Sequence, residues 1–163
     1  MKFEVRKKFR FESAHRLGKG YQGKCANIHG HSWNGVLGVS TEKLDGYGMA
    51  YDFGNLKEII KPLEDGLDHA IILGKHEEEL INAMKRWGMK MVILPENPTS
   101  EAIAKYIFQQ VREQLPPAVK LEYVTIKETC TSACTYSEHN EGTNGNGSGK
   151  RQKSNKGRGS KSS

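Results

Sequence analysis

The opening stretch "MKFEVRKKFRFESAH", residues 1–15, places Phe3, Val5, Phe9 and Phe11 on odd positions with charged residues mostly between them. A period of two belongs to a half-buried strand, whose successive side chains point to opposite faces. The stretch therefore predicts an antiparallel strand closed by His15. Working outward, "KCANIHGHSW" (24–33) sets Cys25 four residues before a His-Gly-His. Two histidines two apart on an extended segment share a face. If the first two strands pair as a hairpin through the Gly-rich "LGKGYQGK" loop, His15 comes to face His29 and His31.

Three neutral imidazoles without a fourth protein ligand form the pattern of catalytic zinc, which leaves one position open. Each histidine taken singly also reads as a hydrogen-bonded core or surface residue. Cys25 has four readings on spacing alone: a fourth ligand, a nucleophile, a base, or no chemical role. As a fourth ligand it would close the site. Held beside a metal, its thiolate would be favoured by the nearby positive charge. "GLDHAII" supplies Asp68 and His69, where a carboxylate can orient an imidazole; neighbours in sequence need not touch, and an exposed pair is the plainer reading. Glu128, in "IKETC", is either an exposed strand-end acid or a carboxylate able to take a guanidine-like edge through two parallel hydrogen bonds. Thr99 and Ser100, in "NPTSE", read as a helix cap, and the start of a helix also offers free N–H groups.

The rest of the chain is helical in the middle and strand-rich at the ends. "HSWNGVLGVSTEKL" (31–44) reads as the second strand. Asp52 is a plausible N-cap for a helix whose apolar stripe is Leu56, Ile59, Ile60 and Leu63. "KHEEELINAMKRWG" (75–88) reads as a second helix followed by a β-like "KMVIL". "NPTSEAIAKYIFQQVREQL" reads as a third, and "KLEYVTIKETC" (120–130) as the last strand. There is no internal repeat.

At 163 residues the chain fits one domain with a sizeable core. Its composition shifts at Asn140. From there "NEGTNGNGSGKRQKSNKGRGSKSS" carries six lysines and arginines against Glu141 alone, which accounts for five of the six formal positive charges. The sequence pI of about 9.2 thus describes the tail and not a nucleic-acid footprint on the body. A segment so poor in apolar side chains cannot offset its ordering entropy, so the expected organisation is a catalytic domain over 1–139 and a disordered basic tail over 140–163. A nucleic-acid contact by that tail is the competing reading. No apolar run suits a signal peptide or a membrane span. Three cysteines without a secretion signal fit a reducing cytoplasm.

"FRFESAHRL", "CANIHGHSW", "GMAYDF", "LDH", "NPTSE" and "KETCTSAC" follow one another in the order and rough spacing of the 6-pyruvoyltetrahydropterin synthase family, over about residues 2–136. The three-residue gap after Cys25, "HGHSW" and "KETCTSAC" resemble its carboxy-forming, queuosine-pathway branch more than the pyruvoyl-forming one. The resemblance implies an α+β tunnelling fold (T-fold): a four-stranded antiparallel sheet with helices on one face, closed into a barrel by oligomerisation, typically a homohexamer of two trimers. It implies Zn²⁺ held by His15, His29 and His31, Cys25 as the catalytic thiol with Asp68 and His69 as its partner pair, and Glu128 as pterin anchor, helped by Thr99 and Ser100. The implied reaction is a lyase step on 7,8-dihydroneopterin triphosphate, giving 6-carboxy-5,6,7,8-tetrahydropterin, acetaldehyde and triphosphate. A pyruvoyl-forming synthase on the same substrate is the nearest alternative, and a zinc-stabilised nucleic-acid-binding module the more distant one. The segment "LGKHEEELINAMKRWGMKMVIL" (73–94) departs from shorter relatives. Cys130 and Cys134 have spacing that hints at a shared face in an extended segment, but no assigned chemistry.

Overall fold

The first two strands form one long hairpin. In the computed structural model, which describes residues 1–138, β1 (Phe3–His15) pairs antiparallel with β2 (His29–Thr41) from Phe3↔Thr41 to His15↔His29. The expected basic tail, 140–163, and the boundary at 139 lie outside the described residues. A three-residue 3₁₀ turn, Lys24–Ala26, sits in the connecting loop. Residues directly opposite in an antiparallel pair point the same way, so the odd-numbered side chains of both strands share one face. Phe9 and Phe11 of β1 and Trp33, Leu37 and Val39 of β2 are buried there.

Two helices cover that face. α1 (Phe53–Leu67) contributes Leu56, Ile59 and Ile60, and α3 (Ser100–Arg112) contributes Ile103, Ile107 and Phe108. Burying each such side chain stabilises the fold by roughly 1.5–3 kcal/mol. Both helices begin on a side-chain cap. The Asp52 carboxylate accepts from the N–H groups of Gly54 and Asn55, and the Thr99 hydroxyl from that of Ala102. A cap of this kind contributes typically about 1 kcal/mol.

The sheet differs from the expected four antiparallel strands. It has six, in the order β4-β3-β1-β2-β5-β6. The antiparallel four are β1, β2, β5 (Lys120–Lys127) and β6 (Ala133–Tyr136). The added pair is β3 (Ala70–Gly74) and β4 (Met91–Leu94), both parallel to β1. All five residues of β3 are buried, and a strand covered on both faces shows no alternation to read. Helices on one face is likewise corrected. Ile72 of β3 joins the core under α1 and α3, whereas Ile71 and Leu73 pack on Ile81 and Met84 of α2 (Glu78–Arg86), on the opposite face. Three boundaries also move. β2 starts at His29 and stops at Thr41, α2 is shorter than 75–88, and the expected last strand breaks after Lys127 into a turn and β6.

Candidate active site

The strand register that builds the core also builds a histidine cluster. His15 closes β1 directly opposite His29, and Ser13 lies opposite His31, so the three imidazoles emerge on the core face at the loop end of the hairpin. Their ring centroids lie 4.5–5.1 Å apart, beside the ring of Trp33. His15 is buried, and its Nδ1 is 2.7 Å from the carbonyl oxygen of Pro98, the residue before the cap of α3. His29 places its Nδ1 2.8 Å from the carbonyl oxygen of Asn27. A carbonyl only accepts, so in the neutral form of both rings the proton sits on Nδ1 and Nε2 presents a lone pair.

Those two Nε2 atoms are 3.0 Å apart. Two lone pairs facing each other at that distance repel unless a cation lies between them. The Nε2 of His31 is buried with no hydrogen-bond partner among the described residues, a condition that needs an explanation. Tetrahedral zinc with Zn–N of about 2.0–2.1 Å sets its donors roughly 3.3–3.4 Å apart. The donor set fits such an ion, and the Pro98 and Asn27 carbonyls are the outer partners that fix ring orientation in metal sites.

Burial holds the His15 imidazole below its ordinary range, with the Pro98 carbonyl partly offsetting it. The unfolded chain, with an imidazole pKa of about 6.5, then takes up the proton first. The contribution to stability is complete above that value and is lost as pH falls towards the lower folded value. Metal-free protein should give a lower urea midpoint at about pH 5.5 than at about pH 7.5. Equal midpoints would contradict a neutral, buried His15.

Glu128 does not stand apart from the histidines. It follows β5 directly, and its Oε1 lies 3.2 Å from Nε2 of His31 and 3.5 Å from Nε2 of His15. One ligand atom from each of His15, His29, His31 and Glu128 falls within 4.8 Å of all the others. Cys25 is not in this group. It is a free, partly buried thiol in the 3₁₀ turn, where its carbonyl accepts from Leu17 N–H at 2.8 Å.

Asp68 and His69 do touch. His69 Nδ1 is 2.7 Å from Asp68 Oδ2, and Asp68 Oδ1 accepts from Glu12 N–H at 2.8 Å. The Glu12 N–H, and after it the His69 ring, holds the Asp68 carboxyl below its usual range, so it stays charged. His69 has φ +56°, a left-handed conformation held by its own N–H donating to Glu12 O at 2.6 Å. Lys90 Nζ donates to the carbonyls of Asp65 and Asp68, the latter at 2.6 Å, which clamps the turn from below. The His69 ring is 80% exposed and opens on a cavity of about 570 Å³ shared with Glu12, His31, Ser32, Met84 and Lys90. This is the even-numbered face of the hairpin, on the α2 side. The Asp68–His69 pair thus lies on the α2 side, where His31 alone of the cluster lines the same cavity. Among the described residues no hydrogen bond joins Cys25 to Asp68 or His69.

Comparison with known proteins places this arrangement. The family profile described as 6-pyruvoyl tetrahydropterin synthase matches residues 4–139. The chain belongs to the 6-pyruvoyl tetrahydropterin synthase family. It is 33% identical to the 6-carboxy-5,6,7,8-tetrahydropterin synthase of Aquifex aeolicus, over 85% of this chain and 99% of that one. It is 37% identical to the enzyme of the same name from Synechocystis, over 81% and 91%. Among solved structures it resembles the 6-pyruvoyl tetrahydropterin synthase of Plasmodium vivax, with a TM-score of 0.66 and 24% identity over 83% of this chain and 97% of that one. That likeness gives the α+β T-fold to the chain.

Within this family member, Thr99 stands next to the histidine cluster through the Pro98–Thr99 peptide, with Ser100 following it. Pro98 orients His15, Thr99 caps α3, and the Ser100 hydroxyl lies 3.4 Å from a Glu101 carboxylate oxygen. The sequence reading omitted the Pro98 and Asn27 carbonyls, because main-chain acceptors leave no mark in residue identity. It also omitted Asn97, whose side chain accepts from Gly18 N–H at 2.9 Å and ties the Cys25-bearing loop to the α3 cap. Among the described residues no helix is long and apolar enough to cross a membrane.

Proposed function

We propose that the chain is a zinc-dependent carbon–carbon lyase that converts 7,8-dihydroneopterin triphosphate to 6-carboxy-5,6,7,8-tetrahydropterin, acetaldehyde and triphosphate, a cytoplasmic step of 7-deazaguanine and queuosine biosynthesis. The observation that carries this reading is the convergence of three imidazoles, two with Nε2 bared by carbonyl partners, in a chain about one-third identical to 6-carboxytetrahydropterin synthases.

Zinc held by His15, His29 and His31 would supply Lewis-acid polarisation of substrate oxygens. The other tasks fall to the chain's own groups. Glu128 offers a carboxylate that can take the amino and ring N–H edge of a pterin through two parallel hydrogen bonds. The start of α3 at Thr99 and Ser100 presents free N–H groups close by. Cys25 moves a proton at the carbon beside the ring, and His69, oriented by charged Asp68, serves the opposite side. Because the Asp68–His69 pair lies on the α2 side and, among the described residues, shares no hydrogen bond with Cys25 of its own chain, the pair that serves each cluster comes from a neighbouring copy. Assembly into a homohexamer whose sheets close a barrel would also cover the edge strands β4 and β6, which are a hazard when left open.

Mass spectrometry of products from dihydroneopterin triphosphate and zinc-loaded protein tests the reading. Release of acetaldehyde with the carboxylated pterin is the expected result. Accumulation of pyruvoyl-tetrahydropterin alone would assign the chain to the pyruvoyl-forming chemistry instead, and no pterin product would end the proposal.

A further inference from the structure

We infer that Glu128 is the fourth ligand of the metal in the substrate-free protein, and that a pterin edge draws this carboxylate away, so that docking of the ring itself opens the position at the metal. The inference rests on the zinc and pterin reading above and adds to it a second job for the anchoring residue.

The argument is one of protons. His15 and His29 have given their single N–H to Pro98 and Asn27 and face inward with lone pairs. His31 Nε2, although 3.2 Å from Glu128 Oε1, is not aligned with it for a hydrogen bond. Glu128 therefore points a carboxylate oxygen at a group of nitrogens, two of which have no hydrogen to offer and the third none aimed at it. Left so, a partly buried anion beside lone pairs is unfavourable, since an unsatisfied charge removed from water costs several kcal/mol. A shared cation turns that repulsion into four attractions. The carboxylate distances agree: 3.2 and 3.5 Å to nitrogen match the roughly 3.3–3.4 Å between donors of tetrahedral zinc, while the His15 and His29 Nε2 atoms lie closer, at 3.0 Å.

Position explains why the ligand can leave. The histidines are fixed on paired strands, whereas Glu128 is the first residue past the end of β5, in the turn before β6. It also lines a second cavity, of about 520 Å³, with Ser32, Asn34, Lys127 and Thr129. A carboxylate there has two environments within reach. Four protein ligands close a metal site and three leave it open, so one side chain decides which state holds.

Cobalt(II) in place of zinc reports the ligand set by its visible spectrum, without turnover. The probe for docking is 6-methylpterin, which carries no side-chain hydroxyl for the metal. In wild-type protein 6-methylpterin should change the cobalt spectrum. Glu128→Gln should show an altered spectrum with no ligand added, and should lose cobalt to a chelator on the order of 10- to 100-fold more readily, at least the cost of losing an outer partner of a ligand. Identical resting spectra and chelator competition in Glu128→Gln and wild type would overturn the ligation. A wild-type spectrum unmoved by 6-methylpterin that does bind, judged by pterin fluorescence, would overturn the exchange. Failure of 6-methylpterin to bind wild type would sink the pterin reading and the exchange with it, while the resting spectra still decide ligation. Failure of wild type to take cobalt at all would reject the metal reading and this inference together.

Discussion

His29→Ala protein should be isolated without zinc and should lose turnover by about 10³-fold or more, the rate equivalent of the several kcal/mol that a metal Lewis acid supplies. The size follows from the donor count. Two of the three imidazole Nε2 atoms face each other at 3.0 Å, and removing one leaves His15 and His31 with only the displaceable Glu128 carboxylate, one imidazole short of the set. His29 also carries the orienting bond to Asn27, which aims its Nε2 at the cluster. The substitution lies at the start of β2 and is partly exposed, which keeps the fold's core out of the result. Metal analysis alongside steady-state kinetics reads both quantities. Retained zinc with near-normal turnover would remove the metal centre from the reaction.

The histidine cluster was legible in the sequence because parity and pairing are themselves sequence properties. Phe3, Val5, Phe9 and Phe11 fix which face of β1 is buried, and the hairpin then forces His15, His29 and His31 onto that same face. Asp52 and Thr99 were legible for an equally local reason, as side-chain acceptors before apolar-periodic runs. What escaped depends on longer-range pairing. "AIILG" (70–74) is buried on both sides and shows no period, so neither β3 nor its parallel place beside β1 could be read. Without β3, the face on which Asp68 and His69 sit was equally hidden. The nearness of Glu128 to the histidines depends on where the turn after Lys127 turns, and spacing in the chain says nothing of that.

Cys25→Ala separates two jobs that spacing left open. As a metal ligand, the thiol would take the zinc with it when removed, and activity would fall in step with metal content. The structure argues against that: the converging ligand atoms come from His15, His29, His31 and Glu128, and Cys25 is not among them. The turn that carries Cys25 is nonetheless tied to the site, since the carbonyl of Asn27, two residues on, orients His29. The tie from Leu17 N–H runs to the Cys25 carbonyl, a main-chain atom that alanine keeps, so the loop should hold its shape in the variant. A thiolate acting in proton transfer contributes mainly to the transition state, whereas on the proposed reading ground-state binding rests on Glu128 and the metal. The expected result is therefore full zinc content, near-normal pterin binding, and a single-turnover rate lower by about 10²- to 10⁴-fold, the usual range for a lost general acid or base. Zinc lost from Cys25→Ala would make the thiol a ligand after all, and an unchanged rate would leave it no chemical part.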